Sequence, residues 1–375
     1  MAKKVILSVI SDLSTDQRVH RSAITLHELG FHVEVVGRTR HGSMEIPERP
    51  YQTKRFRLWF HKGPLFYLNY NVRLFFYLLF SKADVLFSND LDTLPANYYA
   101  SKWKKLPLIY DSHEYFTGVP ELVNRTMIRN IWKRMERKMI PKVDVMFTVN
   151  ESIAGLYREE LGVEASVLRN VPEYFENKTY DKINLRQELG LPLNKAIYIL
   201  QGSGINIQRG AEEMVEAMQY ISDGVLLIIG GGDVIEELKT MVKQFHLDEQ
   251  VIIKSKMPQQ ELRKYTMAAD IGLTLDKDLS INYRFSLPNK LFDYIHAGLP
   301  VLASDLPEVR KIVEQYKVGL IAKRHDPKEL ASLLQQMTGN AQQMEQWKQN
   351  ALLAAKELSW QKEKQMLIKE FQIYI

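Results

Sequence analysis

The sequence predicts an α/β protein built from two doubly wound parallel sheets, and three observations predict it. Short apolar runs alternate with helical stretches from end to end, the alternation lapses once in a polar segment at 169–194, and 375 residues suffice for two separate cores. In the first half the strands fall at 5–10, 32–36, 84–88, 106–110, 144–149 and 165–168. Helices fill the gaps, for example 17–29, closed by Gly30. Residues 65–80 form the most apolar helical stretch. It is too short to span a bilayer and is interrupted by Asn69, Asn71 and Arg73, so burial between strands is expected in preference to a membrane-dipping role. The segment 169–194 turns polar and aperiodic, which places a domain boundary there, set at residue 175. Beyond it strands recur at 196–200, 224–229, 251–253, 270–275, 301–303 and 319–321, and helices at about 326–337, 340–357 and 359–373 finish the chain.

Composition removes several classes. The absence of cysteine excludes disulfides, thiolate metal sites and cysteine nucleophiles, and is consistent with a reducing, cytoplasmic setting. The apolar run 5–10 is too short for a signal peptide and no small-residue cleavage site follows, so it reads as the first strand. The net charge of +5 is unevenly placed: residues 1–170 hold 25 Lys and Arg against 18 Asp and Glu, and the remainder 25 against 27. The densest basic run, 125–142, sets Arg129, Lys133, Arg134, Arg137 and Lys138 beside Met127, Ile131, Trp132 and Met139 at helical spacing. Such a helix either lies on an anionic membrane surface, with Trp132 and the methionines entering it, or packs its apolar stripe on its own sheet. Nucleic acid is disfavoured as a partner, since the basic residues occupy one half and no recognised module is present.

In open parallel sheets ligands bind beyond the carboxyl ends of strands, so the loops there carry the chemistry. The most informative segment is 284–305, Arg-Phe-Ser-Leu-Pro-Asn-Lys-Leu-Phe-Asp-Tyr-Ile-His-Ala-Gly-Leu-Pro-Val-Leu-Ala-Ser-Asp, which reads as loop, helix, turn and buried strand. Pro288 suits the first helical position and Gly298 the helix end. Ser286, Leu287, Asn289 and Lys290, around Pro288 which has no N–H to give, then present free amides, a helix dipole and one ammonium group to an anion such as a diphosphate. Asp293, roughly 7.5 Å further along the axis, is placed to accept ribose hydroxyls. An ordinary αβ unit with Asp293 in solvent is the alternative. Two glycine turns open other helices: Gly202 and Ser203 allow close backbone approach, with Arg209 able to meet a phosphate, and Gly231, Gly232 and Asp233 follow the 224–229 strand. Neither is a P-loop or a dinucleotide fingerprint. In the first half, His113 sits between Asp111 and Glu114 at a strand end, where it either orients a hydroxyl, accepts a proton or serves the fold. Asp90 and Asp92 suggest a metal pair, but the phosphate-binding features lie in the other half. Asp92 is therefore read as a helix cap and no metal is expected.

The order of these motifs, together with Asn-Asp-Leu-Asp-Thr-Leu-Pro at 89–95 and Tyr-Asp-Ser-His-Glu-Tyr-Phe at 110–116, resembles retaining glycosyltransferases of the GT-B fold, the large family 4 group, over about residues 3–375. The resemblance implies two Rossmann-like domains facing across a cleft: 1–175 for the acceptor, 176–358 for the nucleotide-sugar donor, and a helix at 359–375 returning to the first. It implies transfer with retained configuration in polysaccharide or glycolipid assembly, no cofactor or essential metal, and a donor that is a UDP-sugar in preference to a GDP-sugar. The acceptor is expected to be a saccharide or lipid-linked and the setting cytoplasmic, and the basic run at 125–142 adds the expectation of peripheral contact at the inner face of an anionic membrane. Arg209 and the 286–290 segment would hold the diphosphate, Asp293 the ribose, and His113 would touch the transferred sugar. Three departures stand out. The first of two glutamates usual in the family is Phe285, with Asp293 in place of the second, and an arginine usual after the first glycine turn is Ser203. The N-terminal glycine pair is absent, which leaves Asp16 and Arg18 to face donor or acceptor. Two other readings follow from these departures: a non-catalytic nucleotide-sugar-binding subunit, and an epimerase of the same fold using His113 with Glu114.

Overall fold

The computed structural model describes residues 2–14, 16–40, 43, 45–119, 122, 125–175 and 181–375. The chain divides into two compact units, Met1–Asn170 with Trp360–Ile375, and Val171–Ser359.

In the first unit, β1 (Lys4–Ser8), β2 (His32–Arg38), β3 (Gln52–Phe56), β4 (Val85–Asn89), β5 (Leu108–Ser112), β6 (Val145–Thr148) and β7 (Ser166–Val167) form one parallel sheet in the order β3-β2-β1-β4-β5-β6-β7. Its helices are α1 (Gln17–Glu28), α2 (Gly63–Phe80), α3 (Leu94–Lys104), α4 (Thr126–Met139) and α5 (Glu151–Leu161). β4 and β5 are buried at every residue, which is why continuous apolar runs marked them. β3 was not expected. Its sequence Gln-Thr-Lys-Arg-Phe has one buried residue, and as an edge strand it needs only one neighbour while its cations discourage further pairing.

The second unit holds β8 (Ala196–Gly202), β9 (Gly224–Gly230), β10 (Val251–Lys254), β11 (Ile271–Thr274), β12 (Val301–Ser304) and β13 (Gly319–Ala322), parallel in the order β10-β9-β8-β11-β12-β13. Between and after them run α6 (Lys182–Glu188), α7 (Ala211–Ala217), α8 (Ile235–Gln244), α9 (Gln259–Ala268), α10 (Ile281–Arg284), α11 (Asn289–His296), α12 (Pro307–Tyr316), α13 (Pro327–Thr338) and α14 (Ala341–Glu357). The strand order turns back between β1 and β4 in one unit and between β8 and β11 in the other, where such sheets open a crevice at their carboxyl edge.

The closing helix α15 (Trp360–Phe371) belongs to the first unit, burying Trp360, Leu367 and Phe371 in its core. Trp360 Nε1 donates to Thr25 Oγ1 at 3.1 Å, and Arg169 pairs with Glu363 at 2.6 Å. The chain changes units at Asn170, ahead of the expected residue 175, because Val171 is fully buried in the second core. The expected domain start at 176 lies outside the described residues.

One helical expectation needs correction, and for a second helix the packed alternative holds at its tryptophan. α2 buries Phe66, Tyr70, Leu74 and Leu78 on one side only, so it is not enclosed between layers. α4 buries Trp132 against Tyr67 and Phe116, with ring centroids at 5.3 and 5.0 Å, so that indole is not available to a surface partner. Among the described residues no helix is long and apolar enough to cross a membrane.

Candidate functional site

The second unit's carboxyl edge is assembled from three loops. Tyr294 fixes the α11 loop: its hydroxyl donates to Ile199 O and Leu273 O at 3.1 and 3.2 Å and accepts from the Gln201 amide at 3.1 Å. The ring lies where a Cβ on Gly272 would stand, so the sheet keeps a glycine beneath it. Gln201 extends the brace, donating to Asp293 Oδ2 at 3.2 Å and accepting from Thr266 Oγ1 at 2.7 Å. Asp293 is thereby held half-buried at the edge.

The glycine turns lock onto each other. A Cβ on Gly230 would collide with Gly202 O, and one on Gly232 with Ile205 O, so both positions exclude any side chain. Ile205 N donates to Gly231 O at 2.8 Å and Ile207 N to Asp233 Oδ1 at 3.0 Å. Gly231, Gly232 and Asp233 thus brace the 202–209 loop. A Cβ on Gly202 would meet nothing closer than 3.9 Å, and Ser203 is exposed.

Arg209 and Lys290 converge on one buried carboxylate, Asp276, at 3.6 and 3.2 Å. Arg209 also lies over the Tyr283 ring, 5.4 Å from its centroid. Beside them α11 begins at Asn289, one residue later than expected: Pro288 has φ −69° and ψ 137°, which makes it the cap. The Asn289 and Lys290 amides open the helix and have no carbonyl one turn back to bond. The Ser286 amide corrects the sequence reading, since it donates to Tyr283 O at 3.1 Å. Leu287 packs on the core. Two cations, two helix-opening amides and one internal carboxylate leave this edge attractive to an anion. Asp276, which immediately follows the strand read at 270–275, escaped the sequence reading.

The first unit's edge is arranged differently. Arg18 clamps Asp111 through Nε and Nη2 at 2.8 and 2.6 Å and donates from Nη1 to Leu168 O at 2.7 Å, with both side chains almost fully buried. Asp16 caps α1, accepting from Val19 N at 3.1 Å and from Ser11 Oγ at 2.5 Å. Arg18 and Asp111 are therefore spent on each other and the half-buried Asp16 on the start of α1, which limits what these groups expected on the ligand side can offer one. Burial would raise the Asp111 pKa, but Arg18 and His113 hold it well below the carboxylate range.

His113 donates its amide to Asp90 Oδ1 at 2.9 Å. Its Nδ1 lies 3.2 Å from Asp90 Oδ2 and its Nε2 3.2 Å from Asp111 Oδ2. Burial alone would lower its pKa, yet the two carboxylates override that and raise it to about 9. At neutral pH the ring is an imidazolium, which donates hydrogen bonds and cannot accept a proton. Glu114 sits half-buried next to it. Asp92 does not cap α3, whose cap position is Thr93; it is buried and its pKa is pushed well above normal by that burial and by Asp90. No cluster of three or more His, Asp or Glu among the described residues is placed to hold a metal.

Two family models match this chain: Glycosyltransferase Family 4 over residues 16–172 and Glycosyl transferases group 1 over residues 181–353. Among curated proteins it is similar to the amylovoran biosynthesis glycosyltransferase AmsK of Erwinia amylovora, 27% identical over 158 residues. That alignment takes in 41% of this chain and only 38% of AmsK. Among solved structures it superposes on sucrose-phosphate synthase of Thermosynechococcus elongatus with TM-score 0.80 at 16% identity, covering 99% and 98% of the two chains. Anabaena HepE in complex with UDP gives TM-score 0.76 at 14% identity, covering 99% and 100%.

Proposed function

We propose, from the premise that the chain belongs to the GT-B glycosyltransferases whose family 4 and group 1 models account for its two halves, that it transfers a sugar from a nucleoside-diphosphate donor to a hydroxyl acceptor with retained configuration. The observation that carries this reading is the meeting of Arg209 and Lys290 at Asp276 beside the open amides of α11. The leaving diphosphate develops negative charge as the glycosidic bond breaks, and these groups are already aimed at it. Asp293, held by Gln201, takes the ribose. The acceptor hydroxyl attacks the anomeric carbon on the face the diphosphate vacates, and its proton passes to the departing phosphate oxygen. His113 is placed to touch the transferred sugar, but both its ring nitrogens already face carboxylates, and its charge disqualifies it as the base.

Uridine is the preferred base, supported by the UDP held by HepE, and polysaccharide assembly the preferred setting, supported by the name of AmsK. No cofactor or metal is required in this scheme. The half-buried Phe285, in place of a glutamate usual in the family, favours one competing reading, a subunit that binds nucleotide sugar without transferring it. A panel of UDP-, GDP- and ADP-sugars, assayed for binding and for donor hydrolysis or transfer with and without EDTA, separates them. Turnover of a UDP-sugar, undiminished by EDTA, is expected. Tight binding without turnover supports the non-catalytic subunit, and loss of turnover in chelator, restored by Mg²⁺, contradicts the metal-free mechanism.

A further inference from the structure

α2 is apolar on both sides. Opposite its buried face, Leu65, Leu68, Val72, Phe76 and Phe80 form a stripe at helical spacing, and each is between 45% and 80% exposed. The stripe runs roughly 22 Å along the helix, and a helix apolar all round is ordinarily enclosed. Contiguous exposed apolar surface of this kind marks a docking face. The preceding loop adds to it: Trp59 is 77% exposed, held by its amide's bond to Asn69 Oδ1 at 3.2 Å and by the Arg73 guanidinium 4.6 Å from its ring.

Charge selects the occupant. Residues 49–83 contain seven Lys and Arg and no Asp or Glu. Lys62 precedes the helix and exposed Lys82 follows it, while Lys104 from α3 bonds the Leu78 and Ser81 carbonyls at 3.2 and 2.6 Å. Cations therefore stand at both ends of the stripe, with Arg73 between. Alongside it a groove of ≈ 660 Å³ is lined by Phe56, Val72, Phe76 and Phe80 together with Lys4 and Arg73. Lys4 is paired with Glu34 at 2.7 Å, so Arg73 is the cation of this lining that would meet a phosphate above an acyl chain. Pairing with a second copy would set this anion-free segment against itself and suffer like-charge repulsion.

We infer that the outer face of α2, with Trp59, is a docking surface for an anionic lipid bilayer, on which the helix lies in the interfacial plane. The surface is distinct from the α4 helix that its basic sequence first suggested, and it does not rest on the donor-binding reading.

The test is co-sedimentation of the full chain with phosphatidylcholine vesicles, with and without phosphatidylglycerol, at low and high salt. The comparison set is wild type, the exposed-stripe variant Leu68→Gln/Phe76→Gln/Phe80→Gln and a control variant Met127→Gln/Ile131→Gln on α4, each checked by thermal unfolding and UDP binding. Wild type and control should partition onto anionic vesicles, more weakly at high salt, and the stripe variant should lose at least about tenfold in partition coefficient with unchanged unfolding and UDP binding. Equal partition of wild type and stripe variant, loss confined to the α4 control, or no partition under any condition overturns the proposal. So does a dimer in sedimentation equilibrium that the stripe substitutions disperse without any effect of lipid.

Discussion

The carboxyl edges of the two sheets occupy equivalent places in equivalent topologies, yet they hold opposite inventories. In the second unit Arg209 and Lys290 share a single carboxylate, with helix-opening amides beside them, so positive potential is left for an incoming anion. In the first unit Arg18 and protonated His113 lie among Asp90 and Asp111, with Asp92 close by, and both of these cations are already answered. The fold decides where a ligand can sit. The residues placed there decide which ligand it can be: on the proposed function, a diphosphate at one edge and neutral hydroxyls at the other.

That contrast is open to three mutational and pH tests. The largest effect is expected in the first unit. Asp111→Asn leaves the Arg18 guanidinium buried without its counter-charge and should cost about 3–5 kcal/mol of stability. Urea unfolding measures it; a variant as stable as wild type would show that the pair is not a structural clamp. Arg209→Ala should weaken nucleoside diphosphate binding by roughly 1.5–3 kcal/mol in calorimetry, with little change in unfolding. Unchanged affinity would remove Arg209 from the donor site and erase the difference between the edges.

The subtlest expectation concerns His113. Its folded pKa, about 9, lies above the ordinary imidazole value of 6.5, so its contribution to stability is fully present below pH 6.5 and is lost as pH rises through about 9. Unfolding free energy should therefore decline across that window in wild type and stay flatter in His113→Gln. Identical pH profiles would mean that the ring is not held as an imidazolium.

Much of this was legible in the sequence because burial writes itself plainly. Strands such as β9, with all seven residues buried, appear as unbroken apolar runs. β3 was not legible, because an exposed edge strand owes its existence to one neighbour and carries no apolar signature of its own. At the site, Arg209, Lys290 and Asp293 stood out through their place at helix starts after strands. Asp276 did not, since only tertiary structure brings residues so far apart in sequence as Arg209 and Lys290 onto one side chain. Local motif also could not tell that Arg18 reaches Asp111, nor that two carboxylates would fix the charge of His113. A single sequence displays which titratable groups exist; their pairing across the sheet determines which remain for a ligand.

Amide hydrogen exchange with and without saturating UDP tests the central claim most directly, because it reads both edges in one experiment. The account predicts new protection in peptides covering 202–210 and 286–293, with unchanged exchange at 89–114. Protection confined to 89–114, or none at either edge, would contradict the assignment of the diphosphate to the second unit.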